Sequence, residues 1–295
     1  MRRRPGLGVI AGLVLLLGFD SSATPDAPPD FVGAIRLSSR DPLFGGFSAL
    51  SIGENGRDLI VLSDRGAYVR GRITRDGTGA PRSAVFDPVR RLRGPKGGTL
   101  TGQQADSEGL AIAPDGGLFV SFEATIRVAR LDRLEGKAID LPKNPAFARL
   151  PHNEGLEALA VDASGTVYAV PEALHGDKVP VFVFQRGKWR APLALPRIGV
   201  FRPVAADFGP DGRFYLLERR FHGPGGFSSR LRRFDLGPKG FSSGQVLLQT
   251  KAGRHDNLEG LSIWRGPDGL RATMISDDNF LFMQVTEIVE YRLPD

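Results

Sequence analysis

Five times along the chain a short apolar run is followed by a turn pair ending in glycine, then by a second run rich in β-branched and aromatic residues. The stretches are FSALSIGENGRDLIVLSDR from Phe47, SEGLAIAPDGGLFVSFE from Ser107, LEALAVDASGTVYAVPE from Leu156, PVAADFGPDGRFYLLER from Pro203 and LEGLSIWRGPDGLRATMISDD from Leu258. Asn-Gly, Asp-Gly or Ser-Gly between two such runs is a strong β-hairpin signal, because glycine tolerates the positive φ these turns demand. No run keeps a 3.6-residue period for three turns, which argues against helices. The corresponding positions Ser48, Glu108, Glu157, Val204 and Glu259 are separated by 60, 49, 47 and 55 residues. A four-stranded propeller blade takes about 40–50 residues, so the pattern predicts an all-β fold, a β-propeller of five or six blades. A sixth, poorly marked blade would fall between Gly66 and Gly98. KVPVFVFQRGKW and SSRLRRFDL supply outer strands, and the early stretch FVGAIRLS (from Phe31) is placed to complete the last blade by meeting QVTEIVEYRL near the chain end. A two-sheet sandwich is the competing architecture, but it does not require copies so evenly spaced.

Composition changes this picture at the N-terminus. MRRR, then PGLGVIAGLVLLLGF, then small residues near Ser21 to Ala23 describe a secretory signal peptide over residues 1–23, with residues 24–30 as a flexible lead-in and 31–295 as a single propeller domain. The apolar span is shorter than the roughly 20 residues that cross a bilayer, so the expectation is cleavage, a periplasmic or secreted protein and no stable membrane span afterwards. An uncleaved anchor is the alternative, and the arginine run is a faint hint of twin-arginine export. The chain has no cysteine, hence no disulfide and no thiol nucleophile. Its net charge is +6, but both signs are scattered, and the densest basic stretch, DPVRRLRGPKGG, lacks the interleaved aromatics of a nucleic-acid platform. The surface charge suits a small anionic or ester substrate rather than nucleic acid.

Acids recur at two places in the hairpin. Glu108, Glu157 and Glu259 lead the first strand, with Ser48 and Val204 in the other copies; Asp64, Glu123, Glu172, Glu218 and Asp277 trail the second. Symmetry about each turn predicts that a leading acid faces its trailing partner across the hairpin. If the first strand of each blade is innermost, these pairs gather at one mouth of the central channel. Like charges so close need protons or a cation. All-oxygen donors favour a hard ion, Ca²⁺ above Mg²⁺ or Mn²⁺, which makes Asp64, Glu108, Glu123, Glu157, Glu172, Glu259 and Asp277 candidate metal ligands. The competing reading is structural: a repeated acid can accept main-chain N–H bonds and tie one blade to the next. Asp115, Asp211 and Asp268 lie in the turns, and turn chemistry accounts for them.

Taken together, GGFSALSI…LSDRG, DSEGLAI…SFE, NEGLEALAV…PE and DNLEGLSIW…ISDDNF…QVTEIVEY resemble the bacterial phytase-like domain, also described as esterase-like activity of phytase, over Phe31 to Tyr291. The resemblance implies a propeller, an exported location and hydrolysis of phosphoric or carboxylic esters. In the related propeller phytases, carboxylates hold several Ca²⁺ ions that clamp substrate phosphates and activate water. The acidic mouth is also similar in architecture to calcium-dependent lactonase propellers.

Other groups complete the candidate site. His152 and His255 lie just before leading acids and, with Glu108, Glu157 and Glu259, are candidate proton-transfer groups. Arg65 and Arg219 each follow a trailing acid, as neutralising partners or as clamps for a substrate phosphate or carboxylate. The four histidines show no zinc spacing. GFSSG (Gly240 to Gly244) matches a serine-hydrolase pattern but is followed by the strand-like QVLLQT where that motif needs a helix, so it reads as a loop. Two functions fit: a calcium-dependent ester hydrolase, or a non-catalytic propeller using the same mouth to bind a cell-envelope ligand or protein.

Overall fold

The computed structural model describes residues 30–151, 154–173 and 176–294. The signal peptide, nearly all of the lead-in, His152 and His175 lie outside the described residues. The rest forms five antiparallel blade sheets and a small two-stranded hairpin, Leu236–Gly237 with Gly240–Phe241. Blade 1 comprises Phe47–Ile52, Asp58–Ser63, Ala67–Arg75 and Pro81–Phe86. Blade 2 comprises Ser107–Ile112, Leu118–Phe122, Arg127–Leu131 and Ile139–Asp140. Blade 3 comprises Leu156–Val161, Val167–Pro171, Lys178–Gln185 and Leu193–Pro196. Blade 4 comprises Arg202–Phe208, Phe214–Phe221, Phe227–Phe234 and Gln245–Gln249. Blade 5 comprises Asn257–Gly266, Gly269–Asp277, Glu287–Arg292 and, as its outermost strand, Asp30–Arg36. The first strand of each blade packs against that of the next, and blade 5 returns to blade 1, so the ring closes at five. The Gly66–Gly98 segment contributes outer strands of blade 1 rather than a sixth blade.

The two innermost strands of each blade are buried almost throughout because the sheet is covered there on both faces, whereas the outermost strands are largely exposed. Five hydrophobic clusters occupy the five seams between neighbouring blades. Burial on both sides replaces the alternation of a half-exposed sheet with near-continuous apolar runs. Glycines with positive φ occur at all five hairpin turns, and Gly56 shows why: at φ +65°, an added Cβ would meet the Trp264 ring at 2.2 Å. Ring closure rests on the pairing of Asp30–Arg36 with Glu287–Arg292, which joins the two ends of the described chain.

The seam between blades 5 and 1 also holds a buried ionic cluster. Glu290 accepts two bonds of 2.6 Å from Arg75 and one of 2.9 Å from Thr273, with Arg271 at 3.5 Å. Glu290 is fully buried and Arg75 nearly so. Glu290→Ala is expected to cost about 3–5 kcal/mol in chemical denaturation, because two guanidinium groups would lose their buried carboxylate.

Candidate functional site

The leading position of every blade is a β-bulge. Phe47 faces Ser63 while Ala49 faces Leu62, so Ser48 is supernumerary. The same slip falls at Glu108 and Gly109, at Glu157, at Val204 and at Glu259. A bulge sets two residues against one and re-aims a side chain. The residue after each bulge is small (Ala49, Gly109, Ala158, Ala205 and Gly260), and two of these positions show the reason. A Cβ on Gly109 would meet the Leu159 Cβ at 2.6 Å, and one on Gly260 would meet the Ala49 backbone at 3.0 Å. The recurrent EGL phrase therefore combines a redirected acid with close approach of the neighbouring inner strand.

The bulge corrects the expected pairing. Asp64, Glu123 and Glu172 give their N–H groups to the carbonyls of Gly46, Asp106 and Gly155, two residues before the leading position, and Asp277 faces Asn257. Leading and trailing acids of one blade are thus not direct cross-strand partners. In blade 4 the same register sets Arg202 opposite Arg219, so the trailing residue there is Arg219, not Glu218. Glu218 instead lies in a buried cluster with Arg230 at 2.7 Å and Arg232 at 3.4 Å.

The acids nevertheless converge, both within blade 2 and between blades. Burial, then Glu157, Glu259, Asp106 and Glu123, pushes the Glu108 carboxyl well above the usual range. Burial, then Glu259, Glu123 and Glu172, does the same to Glu157. Burial raises Glu259 against the opposing pull of Arg219 and Asn257. Burial and Glu259 lift Asp277 to about 8, and Asp64 is raised to about 6, chiefly by burial. Carboxylates from blades 1, 2, 3 and 5 therefore sense one another in a partly desolvated opening.

Within this group Asp106, Glu108 and Glu123 each place a carboxylate oxygen within 4.8 Å of the other two. Asp106 is absent from the sequence-derived site. Its signal is the position two before the leading acid, where Arg202 and Asn257 stand in blades 4 and 5. The structural reading of the acids holds for some: Asp106 accepts the Ala124 N–H at 2.9 Å, Glu123 that of Gly155 at 3.3 Å, and Asp277 that of Asn279 at 2.7 Å. Among the described residues, no main-chain N–H donates to the Glu108 or Glu157 side chains.

Arg219 enters the cluster from blade 4. It ion-pairs with Glu259 and with Glu172 at 3.3 Å and donates to Asn257 Oδ1 at 2.6 Å. Burial alone would ease its proton loss, but Glu259, Glu157 and Glu172 outweigh that and hold the charge more firmly. Arg202 adds a contact of 3.4 Å to Glu172. Arg65 stays exposed at the rim, its guanidinium 3.5 Å from the centre of the Phe280 ring. His255 is not among the carboxylates: its Nε2 is 2.8 Å from the Tyr291 hydroxyl, Nδ1 is 3.5 Å from Glu287, and Phe31 stacks on the ring. A cavity of about 1460 Å³ opens at the opposite face, among turn residues such as Gly53, Pro114, Ala163 and Pro210. None of the converged acids lines it; Asp207 does, pushed up to about 7 by burial.

Fold and mouth together define a propeller with a carboxylate-lined axial opening. Residues 42–280 match the family described as "Phytase-like: Esterase-like activity of phytase", and the chain belongs to that family. Among solved structures it is similar to the catalytic domain of a GH62 α-L-arabinofuranosidase from Coprinopsis cinerea, at 12% identity and TM-score 0.56 over 92% of this chain and 98% of that one. It is also similar to an α-L-arabinofuranosidase from Podospora anserina, at 13% identity and TM-score 0.52 over 92% and 98% of the two chains. At such identities the likeness extends to the fold alone. No curated protein sequence matches the chain. Among the described residues, no helix is long and apolar enough to cross a membrane.

Proposed function

We propose that the protein is an exported, Ca²⁺-dependent hydrolase of phosphoric or carboxylic esters, with its centre at the acidic mouth. The observation that carries this reading is the approach of Asp106, Glu108 and Glu123 oxygens to within 4.8 Å of one another, beside further buried carboxylates with one deep arginine. The donor set fits a hard divalent ion: it is all oxygen, with neither sulfur nor imidazole, and its charges are too close to be ionised together without a cation. Asp106, Glu108 and Glu123 would hold the ion, with Asp64, Glu157, Glu172, Glu259 and Asp277 around them. Bound there, Ca²⁺ would polarise the ester oxygen and lower the pKa of water.

The chain's own groups supply the rest. Glu157 and Glu259, whose carboxyls burial pushes upward, would exchange a proton with the leaving oxygen. Arg219 would orient an anionic group of the substrate with whichever N–H groups its carboxylate partners leave free. Arg65, on the rim, would draw anions inward. His255, engaged with Tyr291 and Glu287, is given no part in proton transfer. Export rests on the N-terminal pattern of residues 1–23.

The direct test is a screen of the purified mature protein against phosphate esters, acyl esters and lactones, with Ca²⁺ and with chelator. Turnover that a chelator removes and Ca²⁺ restores supports the proposal; metal-independent partner binding without turnover would favour the scaffold reading. Arg219→Gln separates binding from chemistry. Losing a cation beside the acids is expected to tighten Ca²⁺ binding by about tenfold. Losing the anion clamp is expected to lower kcat/KM for an anionic ester by about 10–100-fold.

A further inference from the structure

The acidic mouth is ringed by loops that expose large apolar side chains. Between the second and third strands of blade 5, Leu281, Phe282 and Met283 are 53%, 96% and 77% exposed. Phe221, 64% exposed, ends the second strand of blade 4 opposite Phe227. Ile198 and Val200, also exposed, occupy the connection from blade 3 to blade 4. In an antiparallel blade, second-to-third connections and blade-to-blade connections share one end. All six residues therefore surround the end where the leading and trailing acids lie.

The blade 5 loop is built rather than slack. Asn279 and Phe280 both adopt positive φ, 47° and 53°, the left-handed region that non-glycine residues rarely enter. Acceptor bonds hold them there: Asp277 takes the Asn279 N–H at 2.7 Å, and Asp278 takes those of Phe280 at 3.0 Å and Gly46 at 2.9 Å. Phe280 packs beneath Arg65. The anchored turn leaves the next three side chains standing in solvent. Exposed cations lie at the same end: Arg40, Arg65 and Lys251 on such connections, and Arg220 next to Phe221 at the end of the second strand of blade 4.

We infer that this rim is an interfacial docking surface for an anionic phospholipid bilayer, with Phe282 and Met283 as the inserting residues. Separate apolar points on three loops, with arginines and a lysine among them, suit insertion into a headgroup layer better than burial against one flat protein surface. Apolar burial and attraction to anionic lipid are the two terms that hold a protein at a membrane surface. Docked in this way, the propeller turns its acidic opening toward the lipid. The inference goes beyond the ester chemistry proposed above and stands without it, since membrane binding is read independently of turnover.

The test is flotation of the mature protein with vesicles of phosphatidylglycerol and phosphatidylethanolamine, against pure phosphatidylcholine vesicles. Binding to the anionic vesicles, weakened by raising NaCl from about 0.1 to 0.5 M, is expected. Phe282→Asp with Met283→Asp should reduce it at least tenfold while leaving the melting temperature unchanged, because both side chains stand in solvent. Absence of vesicle binding, equal binding to phosphatidylcholine, or full binding by the double variant would overturn the inference. So would self-association of the wild-type chain that the double variant abolishes, since the rim would then be an interface between copies.

Discussion

Glu108→Gln combined with Glu123→Gln is expected to remove Ca²⁺-dependent hydrolysis while stabilising the metal-free protein. Both effects have one origin. The two carboxylates approach each other and Asp106 within 4.8 Å, and Glu108 is 7% exposed. Without a cation, each must be protonated or repelled by its neighbours. Glutamine keeps the size and one carbonyl oxygen but removes the charge, so affinity for a divalent ion should fall by about 100-fold or more; loss of a group outside the ligand shell alone costs about 10–100-fold. Turnover should fall with it. Relief of like-charge repulsion should raise the metal-free melting temperature, by about 2–4 °C for each kcal/mol gained. A structural role for these acids predicts the reverse, a lower melting temperature with turnover intact, so calorimetry and a hydrolysis assay on one variant decide between the readings.

The second large effect is a linkage between pH, Ca²⁺ and stability. Asp64, Asp207 and Asp277 carry folded pKa values of about 6, 7 and 8, each raised mainly by burial, and Glu108, Glu157 and Glu259 are raised as well. Unfolded, such groups lose their protons near pH 4, so the folded chain binds more protons between these limits. Their contribution to stability is therefore complete below about pH 4 and is lost as pH climbs through the folded values toward 8. The metal-free melting temperature should fall by more than about 5 °C between pH 5 and pH 8. Ca²⁺ should restore the part owed to the mouth acids, though not that of Asp207 at the opposite face, and more at pH 8 than at pH 5, where protons compete for the same oxygens. A melting temperature that rises over this range without metal would mean that the mouth carboxyls are ionised and satisfied in the folded chain.

The turn-glycine hairpins made the blades legible, and the single β-rich stretch near each end anticipated the closing pair Asp30–Arg36 and Glu287–Arg292. The site was less legible, for two physical reasons. Midpoint symmetry assumes an unbroken ladder, whereas each inner strand carries an extra residue at its leading position, which no composition signal marks. Seeking an acid at each trailing position also selected Glu218. The interval from Glu108 to Glu123 equals those from Glu157 to Glu172 and from Val204 to Arg219, and register follows spacing rather than charge. Blade 4 thereby offers a valine and an arginine where the other blades offer mainly acids. Its Arg219 answers the charge of blades 3 and 5, a long-range relation that no local pattern contains. Asp106 precedes the inner strand, outside the hairpin whose pattern marks the other acids.

The central claim is that the acids gathered at the mouth, foremost Asp106, Glu108 and Glu123 of blade 2, form a cation site. Crystals of the mature protein grown with Ca²⁺ test it most directly. The account predicts an ion among Asp106, Glu108 and Glu123 with oxygen ligands at about 2.3–2.6 Å. Contradiction would be the same carboxylates, at saturating Ca²⁺, bonded to one another through shared protons with no ion between them.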